Sequence, residues 1–80
     1  MLTLYVKTGC PWCAIVLKKL GELDLKFEQK NIADDTVAAE LVKRGGKRQV
    51  PYLVDSTKKV EMYESGDIVK YLEKNYSNAR

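Results

Sequence analysis

Histidine is absent from the 80-residue chain, and its absence removes much chemistry at once. No Ser-His-Asp triad, Cys-His nucleophile pair or His-ligated metal site can be built. Long apolar runs are missing too. No window approaches the roughly 18–20 unbroken apolar residues of a membrane span. The opening "MLTLYVKTG" lacks the basic start and apolar stretch of a secretory leader. The chain as given therefore reads as soluble and cytoplasmic, with no membrane partner. Cysteine and proline are scarce, with two of each. What is present is globular rather than disordered, since 45% of residues are hydrophobic and 31% charged. Eighty residues make one domain, 1–80, with a modest core. The net charge of +3 is spread along the chain. Its one cluster, "KRGGKR" from Lys43 to Arg48, reads as a solvated basic loop, so nucleic acid is not an expected partner.

The pattern of apolar residues predicts an α/β chain in the order β-α-β-α-β-β-α. "LTLYV" alternates Leu2, Leu4 and Val6 against Thr3 and Tyr5, as a buried strand does. Pro11 suits a first helical position, and Val16, Leu17, Leu20 and Leu23 continue a helical face that ends near Gly21 to Asp24. "LKFEQKNI" is a weaker strand. Asp34 or Asp35 caps a second helix with Val37, Ala38, Leu41 and Val42 on its apolar face, stopped at Gly45–Gly46. "PYLV" and "KVEMY" flank the polar turn "DSTK" as a hairpin. In "ESGDIVKYLEKNY", Ser65 is the expected N-cap, Asp67 lies in the first turn, and Ile68, Val69, Leu72 and Tyr76 lie on the buried side. A right-handed crossover makes the first two strands parallel. The hairpin adds antiparallel strands, giving a four-stranded mixed sheet with three helices.

The two cysteines stand in "KTGCPWC". A Cys10–Cys13 staple would close a ring of about four residues and contribute only roughly 2 kcal/mol. A structural zinc site wants four ligands, and two thiols without histidine do not supply them. Redox exchange remains. C-x-x-C between a strand and a helix is the pattern of a thiol–disulfide motif. Cys10 falls at the helix start, where free N–H groups and the dipole favour an anion, here a thiolate. Lys7 adds a nearby positive charge. Cys13, nearly one turn inside, is shielded. Cys10 is then the attacking sulfur and Cys13 the resolving one. The five tyrosines read as packing rather than chemistry.

"KTGCPWC", then "RQVPYLVD", then "YESGDIVKYL" resemble the glutaredoxins in order and over nearly the whole chain. The resemblance implies a thioredoxin-like fold and glutathione-dependent reduction of protein disulfides and protein–glutathione mixed disulfides. It implies a monomer with glutathione as reducing co-substrate and no tightly bound cofactor. Its partners would be glutathione and disulfide-containing or glutathionylated proteins. By position it assigns catalysis to Cys10 and Cys13 and glutathione contacts to Lys7, Trp12, Gln49, Val50, Pro51, Glu64, Ser65 and Asp67, with Pro51 in the cis form. Glu64 or Asp67 would meet the amino group of the ligand. The Ser65–Gly66 spelling is closer to the N-terminal domain of glutathione transferases, where a Glu-Ser pair does this work. Three alternatives stay open: an electron donor recharged by a flavoprotein reductase, a glutathione-dependent Fe–S module, and a transferase-like domain without disulfide exchange.

Overall fold

A computed structural model describes residues 1–76. The elements run β1 (Leu2–Val6), α1 (Pro11–Glu22), β2 (Phe27–Asn31), α2 (Asp35–Gly45), β3 (Tyr52–Asp55), β4 (Val60–Tyr63) and α3 (Ser65–Tyr76). The sheet order is β2-β1-β3-β4, with β1 parallel to β2 and antiparallel to β3, and β3 antiparallel to β4. This is the thioredoxin-like β-α-β-α-β-β-α fold that the sequence predicts, a four-stranded mixed sheet with three helices.

The sheet is buried on both faces, and successive residues of a strand point to opposite sides. On one face Leu2, Leu4, Val6 and Leu53 meet Cys13, Val16 and Leu20 of α1 and Ile68 and Leu72 of α3. On the other, Tyr5, Tyr52 and Val54 meet Ala38 and Leu41 of α2. The alternation in "LTLYV" therefore separates two cores, not a core from water. Tyr5 is 1% exposed, and its hydroxyl donates to Glu40, which also accepts from Lys30.

Four local expectations are corrected. Val42 is 42% exposed and lies off the buried face of α2. The strand in "LKFEQKNI" is trimmed to Phe27–Asn31. Asp55 is not a turn residue but the fully buried end of β3. Ser65 is the first helical residue of α3 rather than its cap. The Ile68 N–H bonds the Glu64 carbonyl at 3.0 Å, so Glu64 holds the N-cap position, at φ 75°.

Candidate functional site

The residues after β1 make a tight turn that delivers a sulfur to a helix end. The Cys10 N–H bonds the Lys7 carbonyl at 3.1 Å, and Gly9, third in the turn, takes φ 81°, where glycine has no side-chain penalty. Asn31 at the end of β2 donates to the Thr8 hydroxyl at 2.9 Å and fixes the turn to the sheet. Cys10 then has extended dihedrals at the N-cap of α1, with Pro11 at the first helical position. Its sulfur accepts the Cys13 N–H at 3.2 Å, the place a capping oxygen takes in other helices. Cys10 is half-buried and Cys13 is 2% exposed; both are free thiols. Burial, and then the hydrogen bond with Cys10, push the Cys13 thiol up to about 11. Cys13 is therefore a protonated thiol at neutral pH, beneath a sulfur that accepts its backbone N–H.

Beside this turn lies a groove of about 380 Å³ lined by Trp12, Gln49, Val50, Pro51, Glu64 and Ser65. Six of the residues that the resemblance assigns to glutathione thus come together from three separate stretches of sequence. The Val50–Pro51 peptide bond is cis. Gln49 Nε2 donates to Glu64 Oε2 at 3.3 Å across the groove. Ser65, the first residue of α3, lines the groove, and the first N–H groups of a helix have no intrahelical acceptor. Trp12, 59% exposed, stands free of the core at the rim. Asp67 sits in the first turn of α3 but lines neither this groove nor the next.

A second cleft, about 390 Å³, opens on the other flank of the α1 start. Cys10, Cys13 and Lys7 line it, with Thr8, Gln29 and Asn31 as polar walls and Ala14 and Leu17 as an apolar floor. Sequence reasoning missed Thr8, Gln29 and Asn31. Nothing in "FEQKN" marks the end of that strand as the neighbour of the cysteine turn. The parallel pairing of Val6 with Asn31 does so only in three dimensions. Among the described residues no three of the Cys, Asp and Glu side chains gather as a metal site.

The chain matches the family model described as glutathione S-transferase, N-terminal domain, over residues 4–80. It is similar to a glutathione S-transferase from the Antarctic clam Laternula elliptica, 29% identical with a TM-score of 0.83, covering 96% of this chain and 36% of that one. An epsilon-class glutathione S-transferase from the housefly Musca domestica is 27% identical, with a TM-score of 0.79 over 98% of this chain and 36% of that one. A glutathione transferase homolog from Sulfitobacter, solved with bound glutathione, is 23% identical, with a TM-score of 0.80 over 99% of this chain and 38% of its own. At that identity the likeness shows the fold alone. The chain spans little more than a third of each of these proteins. No curated protein matches it significantly. The three are described as glutathione transferases or a homolog of them, not as glutaredoxins, in keeping with the spelling of "YESGDIVKYL". By fold and by family model, the chain belongs to the glutathione S-transferase N-terminal domain family.

Proposed function

We propose that this domain is a glutathione-dependent thiol–disulfide oxidoreductase that reduces protein disulfides and protein–glutathione mixed disulfides through Cys10 and Cys13. One observation carries the reading: the Cys10 sulfur caps α1, accepting the Cys13 N–H, with a buried second thiol one turn below. That helix start gives the sulfur a backbone hydrogen-bond donor where the chain has no imidazole to offer. Cys10 attacks a glutathionylated protein, forms a Cys10–glutathione disulfide and releases the protein thiolate, which takes up a proton. A second glutathione thiolate then attacks the bound glutathione sulfur, giving glutathione disulfide and restoring Cys10. With a protein disulfide, Cys13 loses its proton and displaces the second thiolate, leaving a Cys10–Cys13 disulfide that two glutathiones reduce. The groove supports this use. A peptide-like ligand in it would pair with the backbone of Val50 as an added strand. Ser65 and the free N–H groups of α3 suit the γ-glutamyl carboxylate. Glu64, which lines the groove, suits the amino group better than Asp67, which does not. Trp12 and Gln49 supply a rim, Pro51 a wall, and Lys7 positive charge near the sulfur. The second cleft leaves room for the protein that leaves. No resident cofactor is needed for these steps.

The test supplies donors separately. Turnover of a glutathionylated peptide with glutathione, abolished in Cys10→Ser and absent with a flavoprotein reductase as sole donor, is the expected result. Turnover with the reductase alone favours the thioredoxin-like alternative. The family match favours a second reading, conjugation of glutathione to an electrophile. Conjugation retained in full by Cys10→Ser would replace the disulfide chemistry with that activity.

A further inference from the structure

Two glycines close α2 where one would suffice. Gly46 is the left-handed cap at φ 90°, a conformation glycine adopts freely. Gly45 is still helical, so its backbone makes no such demand. What it needs is space. A Cβ there would lie 2.8 Å from Tyr63 Cζ, closer than real Cβ atoms come, and 3.1 Å from Tyr52 Cε1, tighter than most. The Tyr63 ring lies over the end of α2, its centroid 4.4 Å from that of Tyr52. From there its hydroxyl accepts the Lys47 N–H at 3.0 Å and donates to the Lys47 carbonyl at 2.8 Å. Both backbone polar groups of one loop residue thus end on a single hydroxyl from β4.

We infer that Tyr63 is a positioning residue for the groove. Its hydroxyl latches the 46–51 segment to β4 and so sets the spacing between the wall of Gln49 and Val50 and the wall of Glu64 and Ser65. Lys47 is two residues from Gln49, and Tyr63 adjoins Glu64, so the latch joins the two walls at their base. The ladder pairing of Tyr52 with Tyr63 fixes the strands below the walls but stops at Tyr52, and the side-chain hydrogen bond from Gln49 to Glu64 is long at 3.3 Å and exposed. A neutral hydroxyl bonded twice to one peptide residue restrains the loop in two directions, which a single exposed bond does not. The consequence for ligand affinity rests on the reading of the groove as the glutathione site; the latch itself does not.

Tyr63→Phe removes the hydroxyl and keeps the ring. It is compared with Tyr71→Phe, which removes a hydroxyl that bonds Asp55, away from the groove. Two NMR readouts need no ligand: the exchange rate of the Lys47 amide and the resonances of the Gln49 side-chain amide. Tyr63→Phe speeds the first at least tenfold and moves the second; Tyr71→Phe does neither. In turnover, Tyr63→Phe raises KM for glutathione three- to tenfold and leaves kcat unchanged. Gly45→Ala, which helix propensity alone would make stabilising, pushes the ring away and reproduces the rise in KM. Wild-type Lys47 exchange and Gln49 resonances in Tyr63→Phe overturn the latch. An unchanged KM, or an equal rise in Tyr71→Phe, overturns its role in positioning. A wild-type chain that does not turn over glutathione refutes the groove reading instead, and the two NMR readouts still decide the latch.

Discussion

A half-buried sulfur and a buried one, three residues apart, form an asymmetry that labelling reads directly. Cys13, pushed up to about 11 by burial, is protonated across the neutral range, whereas Cys10 opens into a cleft. Iodoacetamide applied to the reduced native chain at pH 7–8 is expected to add one group, on Cys10, by peptide mass spectrometry. Cys13 is expected to react only near pH 11 or after unfolding. Equal labelling of both at neutral pH would refute the asymmetry. Glu64 offers a second residue-scale test. It holds φ 75°, which costs a non-glycine residue about 1 kcal/mol. Glu64→Gly removes that strain together with the carboxylate. The urea midpoint is therefore expected to hold or rise, while glutathione affinity falls about tenfold, the effect of one lost charge-assisted hydrogen bond. The placement of the cysteines was legible because C-x-x-C and Pro11 mark a helix start in the sequence itself. The cap of α3 was not. Serine is the commoner cap, and only the tertiary path of β4 into α3 puts Glu64 there.

Asp55 shows how an element junction hides in a sequence. Aspartate before Ser-Thr-Lys reads as turn chemistry, yet this carboxylate is fully buried and ties three elements together. It accepts from the Tyr71 hydroxyl at 2.7 Å and the Tyr76 hydroxyl at 2.5 Å on α3, and from the N–H groups of Thr57 and Lys58 in the turn. Partners 16 and 21 residues away are invisible to local pattern. The tyrosines do pack, as the sequence implies, but they also pair with carboxylates. Tyr52 donates to Glu61 at 2.5 Å as Tyr76 does to Asp55. Burial alone would raise the Asp55 carboxyl; the bonds from Tyr76, Tyr71, Lys58 and Thr57 outweigh it and hold it below its usual value. Its contribution to stability is therefore full above about pH 4 and is lost as pH falls further. Cys13, raised to about 11, and Tyr5 and Tyr76, raised to about 12, act at the other end. Burial is the main cause in each, and their contribution is full below about pH 9 and drains as pH rises through those values. Urea midpoints measured from pH 3 to 11 are expected to fall at both ends. Asp55→Asn is expected to flatten the acid limb and leave the alkaline one. Asp55→Ala is expected to cost at least ~2 kcal/mol at pH 7, because it strands two tyrosine hydroxyls and two backbone N–H groups. An acid limb as steep in Asp55→Asn as in the parent chain would refute its role.

The whole molecule is a sheet clamped between α2 on one side and α1 with α3 on the other, and its groove belongs to no single element. Each wall is a loop end: the start of α1, the approach to β3, and the start of α3. Element order and parallel pairing were legible because apolar period and crossover handedness are local or general rules. The joining of Trp12, Gln49 and Glu64 was legible only through family resemblance, since no rule of spacing brings positions 12, 49 and 64 together. A ligand that bridges these loops binds the folded state alone, so it must stabilise the whole chain by mass action. At glutathione a hundredfold above its dissociation constant the gain is about 2.7 kcal/mol, roughly 10–20 °C in Tm for a domain of this size. Cys10→Ser keeps the walls and is expected to keep most of that shift, while Glu64→Gly loses much of it. Trp12, the sole tryptophan, sits 59% exposed at the rim. Its emission is therefore expected to change more on adding glutathione to the folded Cys10→Ser chain than on unfolding that chain in urea. Thermal shift and emission unchanged at high glutathione would mean that the walls, however well assembled, do not receive the tripeptide.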